Sequence, residues 1–239
     1  MNQYYTTKDD KGDIMAKQIF VVIEGTDGCG KKTQSEKLLA RLQNSGLEVI
    51  RQSFPNYDSQ SSGPVKMYLN GDFGDSKCFS PMQASALYAV DRLCTMKLLE
   101  PYIKEGGSIV FDRYVSSNML HQTANIKDDV ERDKMLEEID HFEHDVLGLP
   151  RPHMVFFLDM PVEYSQKLAN ARAELKSGNA RDILEADTEH LSNAYHSGKF
   201  AAKKYGWEVV SCIDSDGNIR SIEDINDEIY ARCKRVLDI

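Results

Sequence analysis

The residues Gly25-Thr26-Asp27-Gly28-Cys29-Gly30-Lys31-Lys32-Thr33 follow the apolar run Ile19–Ile23 and precede a helical pattern over Gln34–Gln43. Strand, glycine-rich turn and helix in that order make a cradle for phosphate. Gly25, Gly28 and Gly30 let the backbone turn tightly, so that several N–H groups point inward. The helix that follows aims its positive end at the same spot. Lys31 adds a point charge that reaches the outer phosphates of a nucleoside triphosphate. One position departs from the pattern G-x-x-x-x-G-K-[ST]: Lys32 stands where a hydroxyl normally binds Mg²⁺. Two outcomes are open, a different metal arrangement or a loop that has lost catalysis.

The 239 residues suit one α/β domain or two small ones, and 41% hydrophobic content is enough for a core. A formal net charge of −9 weighs against a nonspecific nucleic-acid binder, but leaves room for a basic pocket around a small anion. No apolar run approaches the ~20 residues of a membrane span. Met1–Lys17 is polar and charged without an apolar centre, so no secretory signal is expected there. Residues 1–16 are expected to be a disordered tail or an expression remnant, with Met15 as the natural start. Cys29, Cys78, Cys94, Cys212 and Cys233 are odd in number and lack a C-x-x-C pair, which implies free thiols in a reducing cytoplasm. Cys29, inside the phosphate loop, is a candidate for alkylation, but its expected role there is just to be small.

Five β-rich runs alternate with helical patterns. The strands are predicted at Ile19–Ile23, Glu48–Ser53, Ser108–Phe111, Met154–Leu158 and Trp207–Cys212. Helices are predicted at about 31–44, 81–104, 128–146, 162–175, 187–204 and 222–237. Short strands spaced by helices imply a parallel sheet covered on both faces. Right-handed crossovers then gather the C-terminal ends of the strands on one edge, where ligands bind in such sheets. Residues 17–239 are expected to form a single domain.

Four further clusters carry chemistry. Asp112-Arg113-Tyr114-Val115-Ser116-Ser117-Asn118 begins where the third strand ends. Arg113 suits bidentate phosphate binding, Asp112 could orient it or hold metal-bound water, and Ser117 and Asn118 could face a base edge. A strand-to-helix turn with a structural Asp–Arg pair fits these residues as well. Tyr88 and Arg92 lie four apart on one helix face, where a ring could stack on a base and a guanidinium reach its edge. A core Tyr with a surface Arg in a helix ion pair fits that spacing equally. Phe54-Pro55-Asn56-Tyr57 forms a stiff turn whose Tyr57 could reach a sugar hydroxyl. Arg172, Lys176 and Arg181, with Asp182 and Glu185 beyond, could form a charged lid over phosphates; a solvated helix end is the alternative. The six histidines are scattered, and none stands out as catalytic.

Taken in order, the phosphate loop, F-P-x-Y, an aromatic four before Arg, D-R-Y and a charged lid resemble the thymidylate kinase family, over about residues 18–215. G-x-D-G-x-G-K-x-T-Q and D-R-Y-x-x-S-N carry the resemblance together. It implies a P-loop NTPase-type three-layer α/β fold, with a five-stranded parallel sheet flanked by helices and a lid at about 170–186. It implies a phosphotransferase that moves the γ-phosphoryl group of ATP to dTMP, with Mg²⁺ as cofactor and a homodimer as the assembly. The helix at 81–104 is a candidate dimer surface. ATP would be held by Gly25, Thr26, Asp27, Gly28, Cys29, Gly30, Lys31, Lys32 and Thr33, with Arg172 and Arg181 from the lid. The acceptor dTMP would be held by Asp27, Phe54, Pro55, Tyr57, Tyr88, Arg92, Arg113, Ser117, Asn118, Gln122, Asp182 and Glu185. Asp27, Lys31 and Arg113 would act in catalysis, and Asp27, Asp112 and Glu185 would hold the metal, directly or through water.

Three positions depart from the family pattern: Asn56 replaces a basic residue, Leu184 an aromatic and Lys32 the hydroxyl. Some family members resemble this chain in carrying a basic residue at the last of these, so Lys32 is not read as inactivating. Thr33 is turned by ~100° on the helix and substitutes imperfectly. Phosphates, waters and Asp112 would then hold Mg²⁺. A kinase for another nucleoside monophosphate or for a deoxynucleoside stays open, as does a noncatalytic nucleotide-binding protein. The loop at Ser211–Asn218 is a positional guess for the adenine pocket.

Overall fold

The computed structural model describes residues 18–74, 78–175 and 188–237. Five strands, β1 (Phe20–Glu24), β2 (Val49–Ser53), β3 (Ser108–Asp112), β4 (Met154–Asp159) and β5 (Glu208–Ser211), form one sheet in the order β2-β3-β1-β4-β5. Every pairing is parallel. Central β1 is buried along its whole length, as a strand covered on both faces must be. Its side chains alternate between two cores. Val21 and Ile23 pack on one face with Leu38, Leu42, Ile225 and Ile229; Phe20 and Val22 pack on the other with Met96, Met119, Leu136 and Ala201.

The helices are α1 (Lys31–Asn44), α2 (Gly63–Asn70), α3 (Pro81–Lys104), α4 (Val115–His121), α5 (Asp129–Asp140), α6 (Val162–Leu175), α7 (Thr188–Tyr205) and α8 (Ile222–Leu237). α1 and α8 therefore cover one face of the sheet; α3, α4, α5 and α7 cover the other, giving three layers. The long α3 starts at a capping box: Ser80 accepts from the Gln83 N–H, Gln83 answers with its side chain, and Pro81 sits where its missing N–H costs nothing.

The predicted α/β class and five-stranded parallel sheet are the observed ones, with strand ends moved by a residue. Two short helices were not expected, α2 and α4. The predicted helix at 128–146 ends at Asp140 and continues as a π-helical stretch over His141–Val146. Residues 1–16 and most of the predicted lid lie outside the described residues.

Gly198 marks a close contact between α7 and the sheet. A Cβ there would meet Phe157 Cε2 at 2.6 Å and Leu120 Cγ at 3.0 Å. Helix propensity alone would favour alanine by ~1 kcal/mol. The clash outweighs it, because Phe157 is a fully buried ring with no room to turn. Gly198→Ala is expected to destabilise the fold by about 1–3 kcal/mol. Urea unfolding measures this, and an unchanged or raised midpoint would contradict the close packing.

Candidate functional site

β1 ends in Glu24 and the chain then turns through Gly25, Gly28 and Gly30, all at positive φ (150°, 84° and 99°). Only glycine takes such angles without strain. Gly30 is the N-cap of α1 and has no side chain to cap it, so the first N–H groups of the helix are left for a ligand. Glu24, fully buried, pins the start of the loop. One of its oxygens accepts from the Gly25 N–H at 2.9 Å; the other accepts from the hydroxyls of Ser116 (2.7 Å) and Ser117 (2.8 Å) on α4. Cys29 and Thr26 are buried beneath the cradle. Burial pushes the Cys29 thiol up. The thiol is buried, in keeping with a small residue that packs under the loop.

One cavity of ≈ 310 Å³ opens above the loop, at the C-terminal ends of β1, β2 and β3. Asp27, Gly28, Gly30, Lys31, Lys32 and Thr33 line it from the loop and α1. Phe54, Pro55, Tyr57, Tyr88 and Arg92 line it from the β2 loop and α3, and Asp112, Arg113, Ser117, Asn118 and Gln122 from β3 and α4. Thus four segments far apart in sequence meet in one space. Gly25, Thr26 and Cys29 shape the floor without lining the cavity, and the Ser211–Asn218 loop does not reach it. Arg181, Asp182 and Glu185 lie outside the described residues, as does the side chain of Arg172. Ser53, Leu69 and His121 also line the cavity and were not anticipated. Leu69 arrives on α2, a helix missed in the sequence, and His121 carried no local motif.

Charge is arranged in pairs. Lys31 Nζ folds back over the loop, donating to Gly25 O (2.9 Å) and Thr26 O (2.8 Å), with Asp27 at 3.5 Å. Arg113 Nη2 is ion-paired with Asp27, and Arg51 with Asp112. Burial alone would raise the Asp27 carboxyl, but Arg113 and Lys31 beside it hold it well below the usual range. Burial would lower Arg113, but Asp27 holds it above its ordinary value. Arg113 also has φ 68°, in the left-handed region that non-glycine residues enter rarely and at some strain, a frequent mark of functional positions.

Arg92 is not a surface residue in a helix ion pair. It is 2% exposed and donates through Nε and Nη2 to both oxygens of the buried Glu143, at 2.6 and 2.7 Å. The π-helical stretch delivers Glu143. Asn118 Nδ2 closes the network, donating to Glu143 (2.7 Å) and Ser85 O (3.0 Å). Phe54, 2% exposed, stacks towards Phe111 and is as much core as cavity wall. Asp91 fixes the turn after it, accepting from the Asn56 N–H (2.7 Å) and the Ser61 hydroxyl (2.6 Å). Lys32 is 74% exposed and 3.8 Å from Glu36. Among the described residues no group of three or more His, Cys, Asp or Glu could hold a metal.

Loss of solvation pushes His121 down from its ordinary 6.5 to about 3. His144 and His153 are lowered by the same cause. The unfolded chain binds protons that these folded-state imidazoles refuse, so stability is expected to fall as pH drops from about 6.5 towards 3. Asp27 adds a further loss at lower pH, below its ordinary 3.8. Urea unfolding at pH 7 and pH 5 is expected to give lower stability at pH 5, with a smaller difference in His121→Gln. Equal stability at both values would contradict the lowered histidines.

The geometry agrees with comparisons to known proteins. A family profile described as thymidylate kinase matches residues 23–201, well over half of the chain. A thymidylate kinase of Mycobacterium tuberculosis is 29% identical over 206 residues, covering 84% of this chain and 95% of that protein. One from Herpetosiphon aurantiacus is 32% identical over 174 residues, 72% of this chain and 69% of that protein. One from Plasmodium falciparum is 27% identical over 224 residues, 94% of this chain and 93% of that protein. With the glycine cradle, Lys31 and the D-R-Y turn in one cavity, the chain belongs to the thymidylate kinase family.

Proposed function

We propose that this protein transfers the γ-phosphoryl group of ATP to the 5′-phosphate of dTMP, giving dTDP and ADP. One observation carries the assignment of roles: the cradle with Lys31 and the Asp27–Arg113 pair lie side by side on the wall of a single cavity, with Asp27 3.5 Å from Lys31 Nζ. The cradle N–H groups and Lys31 bind the ATP phosphates. Arg113 binds the acceptor phosphate. Tyr88, held edge-on to Tyr68 at 6.3 Å, stacks on thymine. Arg92, fixed by Glu143, has Nη1 left as a donor to the base or phosphate. Ser117, Asn118 and Gln122 line the base side, and Phe54, Pro55 and Tyr57 the sugar side.

An oxygen of the acceptor phosphate attacks the γ-phosphorus in line, and the bond from that phosphorus to the β–γ bridging oxygen breaks. The nucleophile is already largely deprotonated near neutral pH, so no strong base is required. Catalysis rests on alignment and on cancelling negative charge. Among the described residues the two carboxylates on the cavity, Asp27 and Asp112, are both paired with arginines, which suits an ion kept mainly by phosphates and water rather than by a protein cage. Asp27 and Asp112 would hold the waters of Mg²⁺, which when bound shields the charge on the transferring phosphates. Glu185, also assigned to the metal, lies outside the described residues, as do the lid's Arg181 and Asp182, assigned to ATP and dTMP.

A coupled ADP-release assay with MgATP against dTMP, dUMP, dCMP and thymidine tests the reading. Strong preference for dTMP is expected, and Arg113→Ala is expected to lose about 2–5 kcal/mol of transition-state stabilisation. Preference for another acceptor would overturn the base site; near-normal turnover of Arg113→Ala would overturn the phosphate site.

Five free cysteines are in keeping with a cytoplasmic protein. A homodimer through α3 is supported by two exposed apolar side chains on that helix: Val90 is 46% exposed and Leu98 75%. Leu98→Glu is expected to shift the protein to monomer in light scattering. An unchanged mass would place the interface elsewhere.

A further inference from the structure

His121 and His190 stand beside the acceptor site, and no role described so far uses them. His121 is the last residue of α4, and His190 lies in the first turn of α7. His121 Nε2 is 3.4 Å from Arg113 Nη1, and its Nδ1 is 3.5 Å from His190 Nε2. The two rings are nearly parallel, at 21° with centroids 5.7 Å apart. His190 is itself buried.

We propose that His121 and His190 form a positioning pair that orients the Arg113 guanidinium for the acceptor phosphate. It rests on the assignment of Arg113 to that phosphate. A guanidinium only donates, so the His121 nitrogen facing it must accept. The hydrogen of His121 is then on Nδ1, where it is donated to His190 Nε2, and the hydrogen of His190 is on its own Nδ1. The order of donors and acceptors fixes both tautomers. Asp27 holds Arg113 by Nη2 and His121 holds it by Nη1, so two anchors define the plane of the fork. A single ion pair would let it swing. The anchors differ in kind: Asp27 is charged, while His121 is neutral, since loss of solvation disfavours its cation. A neutral acceptor orients the guanidinium without cancelling the charge that phosphate needs. The remaining N–H groups of Arg113 are left for the ligand.

Two measurements test the pair. In the intact wild-type protein labelled with ¹⁵N-histidine, long-range ¹H–¹⁵N spectra at neutral pH are expected to report His121 as the Nδ1–H tautomer, with an acceptor-type nitrogen at Nε2. An Nε2–H tautomer would overturn the proposal, and this readout does not depend on any variant folding. In kinetics, His121→Phe keeps a ring but no acceptor. It is expected to raise KM for dTMP about tenfold, as loss of a hydrogen bond to a charged group does. KM for ATP is expected to stay within twofold. His121→Gln restores an acceptor near the Nε2 position and should recover most of the loss. Equal impairment of the two variants, or a wild-type KM in His121→Phe, would overturn the pair. Arg113→Ala run alongside separates the two ideas. If it is impaired while His121→Phe is not, only the positioning pair falls. If it is unimpaired, the Arg113 assignment itself falls.

Discussion

The parallel pairing of β1 with β3 is the constraint on which the rest of the site depends. Its register sets Ile23 opposite Asp112, so the two strands end at the same height. Whatever follows each strand must then share one patch of surface. After β1 comes the glycine turn; after β3 comes Arg113, whose N–H donates to Ile23 O at 3.2 Å. A shift by one residue would turn every side chain of β1 to the opposite face. The two cores forbid it, because the alternate residues of β1 are matched to different helices.

Placing so much charge at one strand edge is costly unless each group is compensated. The chain meets this with a tier of buried carboxylates under the cavity. Glu24 receives the loop and α4, Glu143 receives Arg92 and Asn118, and Asp91 receives the turn after β2. None of them has to touch a nucleotide. They hold the cations and the backbone in place before a nucleotide arrives, so that binding energy is not spent on ordering the site.

Much of this was legible in the sequence because it is local. The apolar runs gave all five strands within a residue or so, and 3.6-residue periodicity gave α1, α3, α6 and α8 with their observed bounds. The glycine spacing and D-R-Y are local patterns too, and of their residues Gly28, Gly30, Asp112 and Arg113 meet in the cavity. What was illegible depends on contacts distant in sequence or on irregular backbone. α2 begins with Gly63-Pro64 and has only eight residues, so periodicity has little to act on. Glu143 lies in a run of charged residues and is distinguished only by the π-helical stretch that turns it inward. His121 is one of six histidines, and its partners, Arg113 and His190, become visible only once α4 and α7 are folded together.

Lys31 has a consequence of its own. In the structure its ammonium is already satisfied by two carbonyl oxygens of the loop it guards. An incoming anion must therefore compete with the protein's own backbone for that cation. A small single-charge anion offers too little in exchange to displace both carbonyls, whereas a polyphosphate brings several oxygens at once and also engages the open N–H groups of α1. On the proposed assignment of Lys31, the loop would act as a threshold, favouring extended, highly charged phosphate chains over the plentiful simple anions of solution.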